Sequence, residues 1–188
     1  MPTTLIPFPL TDEQRRVQDL VRGLADSIFT ERAARWDERE EYPWDNIKDL
    51  VAHGLMGMTL PVEYGGRGAG VLEAVLAIEA AARACGVTGR ILVDSNFGAV
   101  GAIAHYGTDS QKRAFLPLVI QGDKPAIAIT EPGAGSAAAD MTTAATRDGN
   151  AWLLDGVKHW ITGAGVSRTY VVFCRFDGIP GAPGIGAI

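Results

Sequence analysis

A chain of 188 residues that is 47% hydrophobic and 21% charged has the apolar content to bury a sizeable core. Its net charge of −5 argues against nucleic acid or an anionic membrane as the main partner, because both need a clustered positive surface. Two distant cysteines, Cys85 and Cys174, and three separated histidines, His53, His105 and His159, provide neither a disulfide framework nor a zinc spacing, so a reduced, cytoplasmic protein without a metal is expected.

The opening stretch, MPTTLIPFPLTDEQRR, lacks a basic run followed by an apolar one, so no signal peptide is expected. No apolar run reaches the length that spans a bilayer. The first part of the chain then reads as helices. Thr11 and Gln14 fit a capping box, and Val17, Leu20, Val21, Leu24 and Ile28 recur at helical spacing. The mixed-charge stretch ERAARWDEREEYPWD reads as a solvated helix face. A second helix, in YPWDNIKDLVAHG, starts at Asp45 or Pro43 and stops at Gly54. Pro61, Gly65, Gly66, Gly68 and Gly70 make MTLPVEYGGRGAG a loop. A third helix ends at Gly86, RILVDSNFGAVGAIAHYG reads as one continuous fourth, and DSQKRAFLPLVIQG is a fifth with Asp109 or Ser110 as its cap.

At Gly122 the texture changes. KPAIAIT, MTTAATRDG, AWLLDGVKHWIT and TYVVFCRF are short, rich in β-branched and aromatic residues, and separated by turn residues. RDGNAW is a hairpin turn, and GIGAI at the chain end reads as part of a further strand. Helices followed by antiparallel strands predict an α+β, multidomain protein, with a helical domain over 1–121 and a β domain over 122–188.

Two stretches of the β half could carry chemistry. In AIAITEPGAGSAAAD, residues 126–140, Gly133 and Gly135 let backbone approach a ligand, while Thr130 and Ser136 add hydroxyls. The loop N–H groups could form a concave nest. The Gly-Lys-Ser/Thr ending of a nucleotide P-loop is missing, and a plain structural loop is the alternative. In KHWITGAG, residues 158–165, Trp160 offers a flat aromatic face and Thr162 a hydroxyl on the same side of a predicted strand. A Trp on a strand is usually an ordinary core residue. Glu63 and Glu131 are loop carboxylates with no second acid nearby in sequence, so neither suggests an acid–base pair.

Taken together, ITEPGAGS (129–136), TRDGNAWLLDGVKHWIT (146–162), LPVEYGGRG (60–68) and the long stretch from Tyr106 to Gly135 resemble the acyl-CoA dehydrogenase superfamily of flavoproteins. The resemblance covers essentially the whole chain. It implies a helical N-terminal domain, an antiparallel β-barrel-like middle domain, and a C-terminal four-helix domain that this chain does not contain. It also implies FAD, an acyl-CoA thioester substrate, and a homotetramer. By the same resemblance, Ile127, Ala128, Ile129 and Thr130 approach the isoalloxazine ring. Gly135 and Ser136 approach the neighbouring phosphates or the substrate pantetheine. Trp160 packs on the ring, with Ile161 beside it, and Thr162 bonds near the flavin N5. In dehydrogenating members the proton-abstracting carboxylate lies in the C-terminal domain, so no catalytic residue is assigned here. An inactive fragment or non-catalytic partner is one expectation for the 188 residues by themselves. Two departures stand out: Ala137 replaces the Asp of the usual Gly-Ser-Asp, and the segment after Trp160 reads ITGAG.

Arg90 opens a helix that in this superfamily closes the far end of the acyl pocket. A guanidinium there is suited to grip an acidic group on the acyl chain. The alternative is a surface pair with Asp94, four residues on. Among members of the superfamily, YPWDN, GRILVDSN and GSAA most resemble the 3-sulfinopropionyl-CoA desulfinases, whose substrate loses sulfite. The other expectation is ordinary α,β-dehydrogenation, with electron-transfer flavoprotein as acceptor.

Overall fold

The computed structural model describes residues 9–188; the first eight residues of the stretch read above for a signal peptide lie outside them. The chain forms two compact units, dividing between Asn96 and Phe97. Among the described residues no helix is long and apolar enough to cross a membrane.

The helical unit opens with α1 (Asp12–Leu24), and the expected capping box is present: Gln14 N donates to Thr11 Oγ1 at 3.2 Å and Thr11 N to Gln14 Oε1 at 3.0 Å. One π-helical turn, Ala25–Phe29, leads directly into α2 (Thr30–Arg39). Val17, Val21, Leu24 and Phe29 form the buried stripe. The charged residues of the mixed-charge stretch are exposed or half-buried as its pattern requires, while Trp36 and Pro43 are buried. Then follow α3 (Trp44–Ala52), α4 (Val71–Ala84) and α5 (Gly86–Asn96). The α4–α5 corner is tight: a Cβ on Gly89 would lie 2.6 Å from that of Ala82, so only glycine fits. Between α3 and α4 the chain makes a glycine-rich loop around buried Leu55, Met56, Met58 and Leu60. Each such side chain contributes about 1.5–3 kcal/mol when fully buried. Buried Asn96 holds this loop, donating to the carbonyls of Leu55 and Leu92 and accepting from Thr59 N at 3.1 Å.

The predicted helix over 90–107 is two helices. α5 ends at Asn96, Gly98 takes φ +54, and α6 (Ala99–Tyr106) begins beyond it. The apolar periodicity runs through this break, because both helices bury a face. α7 (Asp109–Ile120) is capped by Thr108, in a second capping box with Gln111, instead of by Asp109 or Ser110.

The sheet contains β1 (Ala126–Ala128), β2 (Ala144–Asp148), β3 (Ala151–Asp155), β4 (Tyr170–Phe176) and β5 (Ile185–Ala187). β2 and β3 form the expected hairpin, with Asp148 opposite Ala151 and Gly149 at φ +58 in its two-residue turn. β5 runs antiparallel to β4. The sheet as a whole is mixed, however, because β1 and β2 both run parallel to β4. Parallel pairs need long connections, and residues 129–143 and 156–169 supply them. Alternation of apolar residues reports a strand without its direction.

AWLLDGVKHWIT is not one strand. Pairing stops at Asp155. Gly156 follows at φ +150, where a Cβ would lie 2.5 Å from Thr143 Oγ1, and Trp160 takes φ +58. Trp160 and Thr162 therefore sit in a turn and not on one face of a strand.

Candidate functional site

The loop after β1 folds back at once. Glu131 N donates to Ala134 O at 3.0 Å and Ala134 N returns to Glu131 O at 3.1 Å, leaving Pro132 and Gly133 as the tip. The Glu131 side chain turns inward and is only 4% exposed. Its Oε2 accepts from Thr142 N at 2.7 Å and Thr142 Oγ1 at 2.9 Å; its Oε1 accepts from Thr143 N at 2.9 Å and Lys158 Nζ at 2.8 Å. Burial pushes this carboxyl up, but Lys158 and the Thr142 and Thr143 donors outweigh burial and hold it well below the usual carboxylate range.

Lys158 also donates to Ile129 O at 2.9 Å, and His159 N donates to Thr130 O at 2.8 Å. The two stretches singled out in the sequence are thus joined. The pairing that joins them is what sequence reasoning missed, since Glu131 reads there as an ordinary loop carboxylate. The available signal was Lys158 itself, a lone cation two residues before Trp160. Beneath it, burial pushes the Cys174 thiol up, with the charge of Lys158 offsetting part of the effect, so Cys174 stays a protonated, buried thiol.

Beyond Lys158 the chain turns outward. Trp160 is 81% exposed and its ring stacks on His159, with centroids 4.3 Å apart and planes 21° apart. A left-handed backbone is uncommon for a bulky residue and marks a position worth explaining. Among the described residues, the backbone N–H groups of Trp160, Ile161, Thr162 and Gly163 have no partner within the chain, nor do those of Gly133, Gly135 and Ser136. Thr162, Gly135 and Ser136 are exposed, Ile161 half-buried. On β1 and just after it, Ala128 is buried, while Ile127, Ile129 and Thr130 are half-buried. Alternation along an extended chain puts Ile127 and Ile129 on one face, opposite Ala126 and Ala128.

This set can hold a flat heteroaromatic ring. Trp160 supplies a face, and unpaired N–H groups and the hydroxyls of Thr130, Ser136 and Thr162 supply donors to ring acceptors or an anion. Arg90 belongs to the helical unit. Its Nη2 lies 2.9 Å from Asp94 Oδ1 and its Nε donates to Asp94 Oδ2 at 3.2 Å, a two-pronged pair between a half-exposed cation and a buried carboxylate. A hollow of about 120 Å³ in the same unit, between Arg22, Asp26 and Arg83, includes none of the candidate residues. Among the described residues no group of three or more His, Cys, Asp or Glu could hold a metal ion.

Residues 11–123 match the acyl-CoA dehydrogenase N-terminal domain, and residues 126–187 match the acyl-CoA dehydrogenase middle domain. The chain is 54% identical over 168 residues to a 3-sulfinopropanoyl-CoA desulfinase of Paraburkholderia xenovorans, covering 89% of this chain and 43% of that protein. It is 36% identical over 181 residues to a short-chain-specific acyl-CoA dehydrogenase of Clostridium acetobutylicum, covering 96% of this chain and 48% of the relative. Among solved structures, it resembles a glutaryl-CoA dehydrogenase of Mycobacterium smegmatis in complex with FADH2, with a TM-score of 0.86 and 27% identity over 95% of this chain and 45% of that one. The chain spans less than half the length of each of these proteins.

Proposed function

The chain belongs to the acyl-CoA dehydrogenase family, and on that premise we propose that its sheet unit carries flavin-facing residues of an enzyme that removes sulfite from a short, acidic acyl-CoA thioester. The observation that carries the flavin reading is the junction of the 129–136 loop with the 158–163 turn through Lys158. It brings an exposed aromatic face beside a run of backbone donors that have no partners among the described residues. Isoalloxazine is flat and presents hydrogen-bond acceptors along its edge, so these residues fit FAD. Trp160 lies against the ring, with Thr162 and the N–H groups of 160–163 at its edge and Ile127 to Thr130 alongside. Gly135 and Ser136 offer N–H groups to a phosphate or to pantetheine. Bound FAD supplies an electron-accepting surface on which the thioester is laid, and these residues orient it and tune its electronics through hydrogen bonds.

Desulfination is favoured over α,β-dehydrogenation by the greater identity to the desulfinase and by Ala137 where the family's usual pattern has Asp. The balance needs only water. The bond from carbon to sulfur breaks, water gives hydrogen to carbon and hydroxyl to sulfur, and propanoyl-CoA and hydrogensulfite leave without an external oxidant. Dehydrogenation, by contrast, needs an acceptor such as electron-transfer flavoprotein.

Visible absorption of the purified protein tests the cofactor, and sulfite release from 3-sulfinopropanoyl-CoA without an electron acceptor tests the reaction. The expected result is a flavin spectrum and sulfite. A colourless protein that takes up no added FAD overturns the flavin reading, and dye reduction by butyryl-CoA without sulfite from the sulfinate turns the assignment to dehydrogenation.

A further inference from the structure

Beneath the 160–163 turn lies Lys124, in the short link between α7 and β1 and only 3% exposed. Its ammonium donates to the Thr162 carbonyl at 3.2 Å. The turn is wrapped around it. Ser167 Oγ donates to the carbonyl of Lys124, Ser167 N and Val166 N donate to Gly163 O at 2.8 and 3.0 Å, and Ala164 N donates to Ile161 O at 3.0 Å. Gly163 meets two demands at once. Its φ of +93° suits glycine, and a Cβ there would lie 2.5 Å from Ser167 Oγ and 2.8 Å from Lys124 Nζ. The room a side chain would take is occupied by the ammonium.

The consequence follows from peptide geometry. The chain contains no cis peptide bonds among the described residues, and a trans peptide sets its C=O and N–H in opposite directions. Drawing the Thr162 carbonyl inward to Lys124 therefore aims the Gly163 N–H outward, and that N–H has no partner among the described residues.

We propose that Lys124 is a positioning residue for the candidate cofactor site: by holding the Thr162 carbonyl it orients the Thr162–Gly163 peptide, presenting the Gly163 N–H as a donor to the bound ring and keeping Thr162 and Trp160 in place. This rests on the reading of the 160–163 turn as flavin-facing. Lys124 touches no reacting atom and acts through the turn.

The test compares wild type with Lys124→Met, which keeps the apolar stem and removes the donor, using FAD as the probe. Without FAD, amide exchange at Ala164, Val166 and Ser167 is expected to speed up about tenfold or more in the variant, the effect of losing a hydrogen bond from a charged group, while exchange in β4 is unchanged. With FAD, the visible bands are expected to shift and the affinity to fall by a similar factor. Unchanged turn exchange overturns the proposal. Faster exchange with wild-type affinity and spectrum also overturns it, leaving Lys124 as a purely structural residue. If Lys124→Met does not fold, Gly163→Ala perturbs the same contact from the other side and is read in the same way. A wild type that takes up no FAD removes the flavin reading instead, and the exchange measurement still decides whether Lys124 holds the turn.

Discussion

Lys158 Nζ lies 2.8 Å from Glu131 Oε1 and 2.9 Å from the Ile129 carbonyl, so one ammonium binds the loop after β1 to the chain that leads into Trp160. The Glu131 side chain is buried, at 4% exposure, and that of Lys158 is largely covered, at 10%. Removing one partner of such a pair leaves the other charge without compensation and costs about 3–5 kcal/mol. We therefore predict that Lys158→Met lowers the unfolding free energy by about 3 kcal/mol. The double variant Lys158→Met, Glu131→Gln should lose less than the sum of the single losses. Urea unfolding of the four proteins checks this, and strict additivity would show that the two groups do not interact.

The same pair has a pH signature. Glu131 titrates below its ordinary value of 4.5 in the folded protein. A carboxyl depressed by folding contributes stability that is full above its unfolded pKa and is lost as pH falls through the folded value. The urea midpoint is expected to hold between pH 7 and about 5 and to drop below about 4.5 as the unfolded state takes up the proton first. Glu131→Gln should flatten that drop. An equally steep drop in Glu131→Gln assigns the acid sensitivity to other groups.

The cap of α7 separates two neighbouring residues. Gln111 N donates to Thr108 Oγ1 at 3.3 Å, and Thr108 N donates to Gln111 Oε1 at 2.8 Å. Thr108→Ala is expected to cost about 1 kcal/mol, and Asp109→Ala at most a few tenths through the helix dipole. Thermal unfolding of both variants decides it, and the reverse order would place the cap at Asp109.

Trp160 is too exposed to contribute much to the fold, so Trp160→Ala should change stability by less than about 0.5 kcal/mol. Its loss is expected at the ligand. Without the aromatic face, FAD binding weakens by about 0.5–1.5 kcal/mol beyond the lost contact area, with a shift in the visible bands. Equilibrium titration with FAD and the visible spectrum measure both, and a variant that binds and absorbs as wild type does removes Trp160 from the site.

These expectations also mark where the sequence stops speaking. The helices were readable because the 3.6-residue repeat of Val17, Val21 and Leu24 reflects the face they bury, and because the Thr11–Gln14 box is local chemistry. The hairpin was readable because Asp148, Gly149 and Asn150 are turn formers. Strand direction was not, since β1, β2 and β4 are brought parallel by loops whose course depends on distant contacts. Trp160 has the composition of a strand residue, and nothing local announces its left-handed backbone. Glu131 and Lys158 are 27 residues apart, each beside residues typical of exposed loops, so their burial follows only from the assembled sheet.

Arg90 carries the question of specificity. Its fork onto Asp94 uses the Nε–Nη2 edge of the guanidinium, while a guanidinium has a second edge, Nη1–Nη2, able to meet another planar acid. We propose that this second edge takes the sulfinate or carboxylate at the end of the acyl chain, with Asp94 holding the cation in place. A charge-assisted pair contributes about 1.5–3 kcal/mol, which is tenfold to a hundredfold in binding. The gain is selective, because a neutral chain leaves that edge without a partner. Arg90→Gln is accordingly expected to lower kcat/KM for 3-sulfinopropanoyl-, succinyl- or glutaryl-CoA about tenfold or more relative to butyryl-CoA. Asp94→Asn serves as the control: if Asp94 only positions the cation, acidic substrates lose less than they do in Arg90→Gln. If instead Asp94 is the sole partner of Arg90, both variants lose stability together, and Arg90→Gln lowers acidic and neutral substrates by the same factor. Steady-state kinetics on both substrate classes, beside the unfolding free energy of each variant, separates the two outcomes.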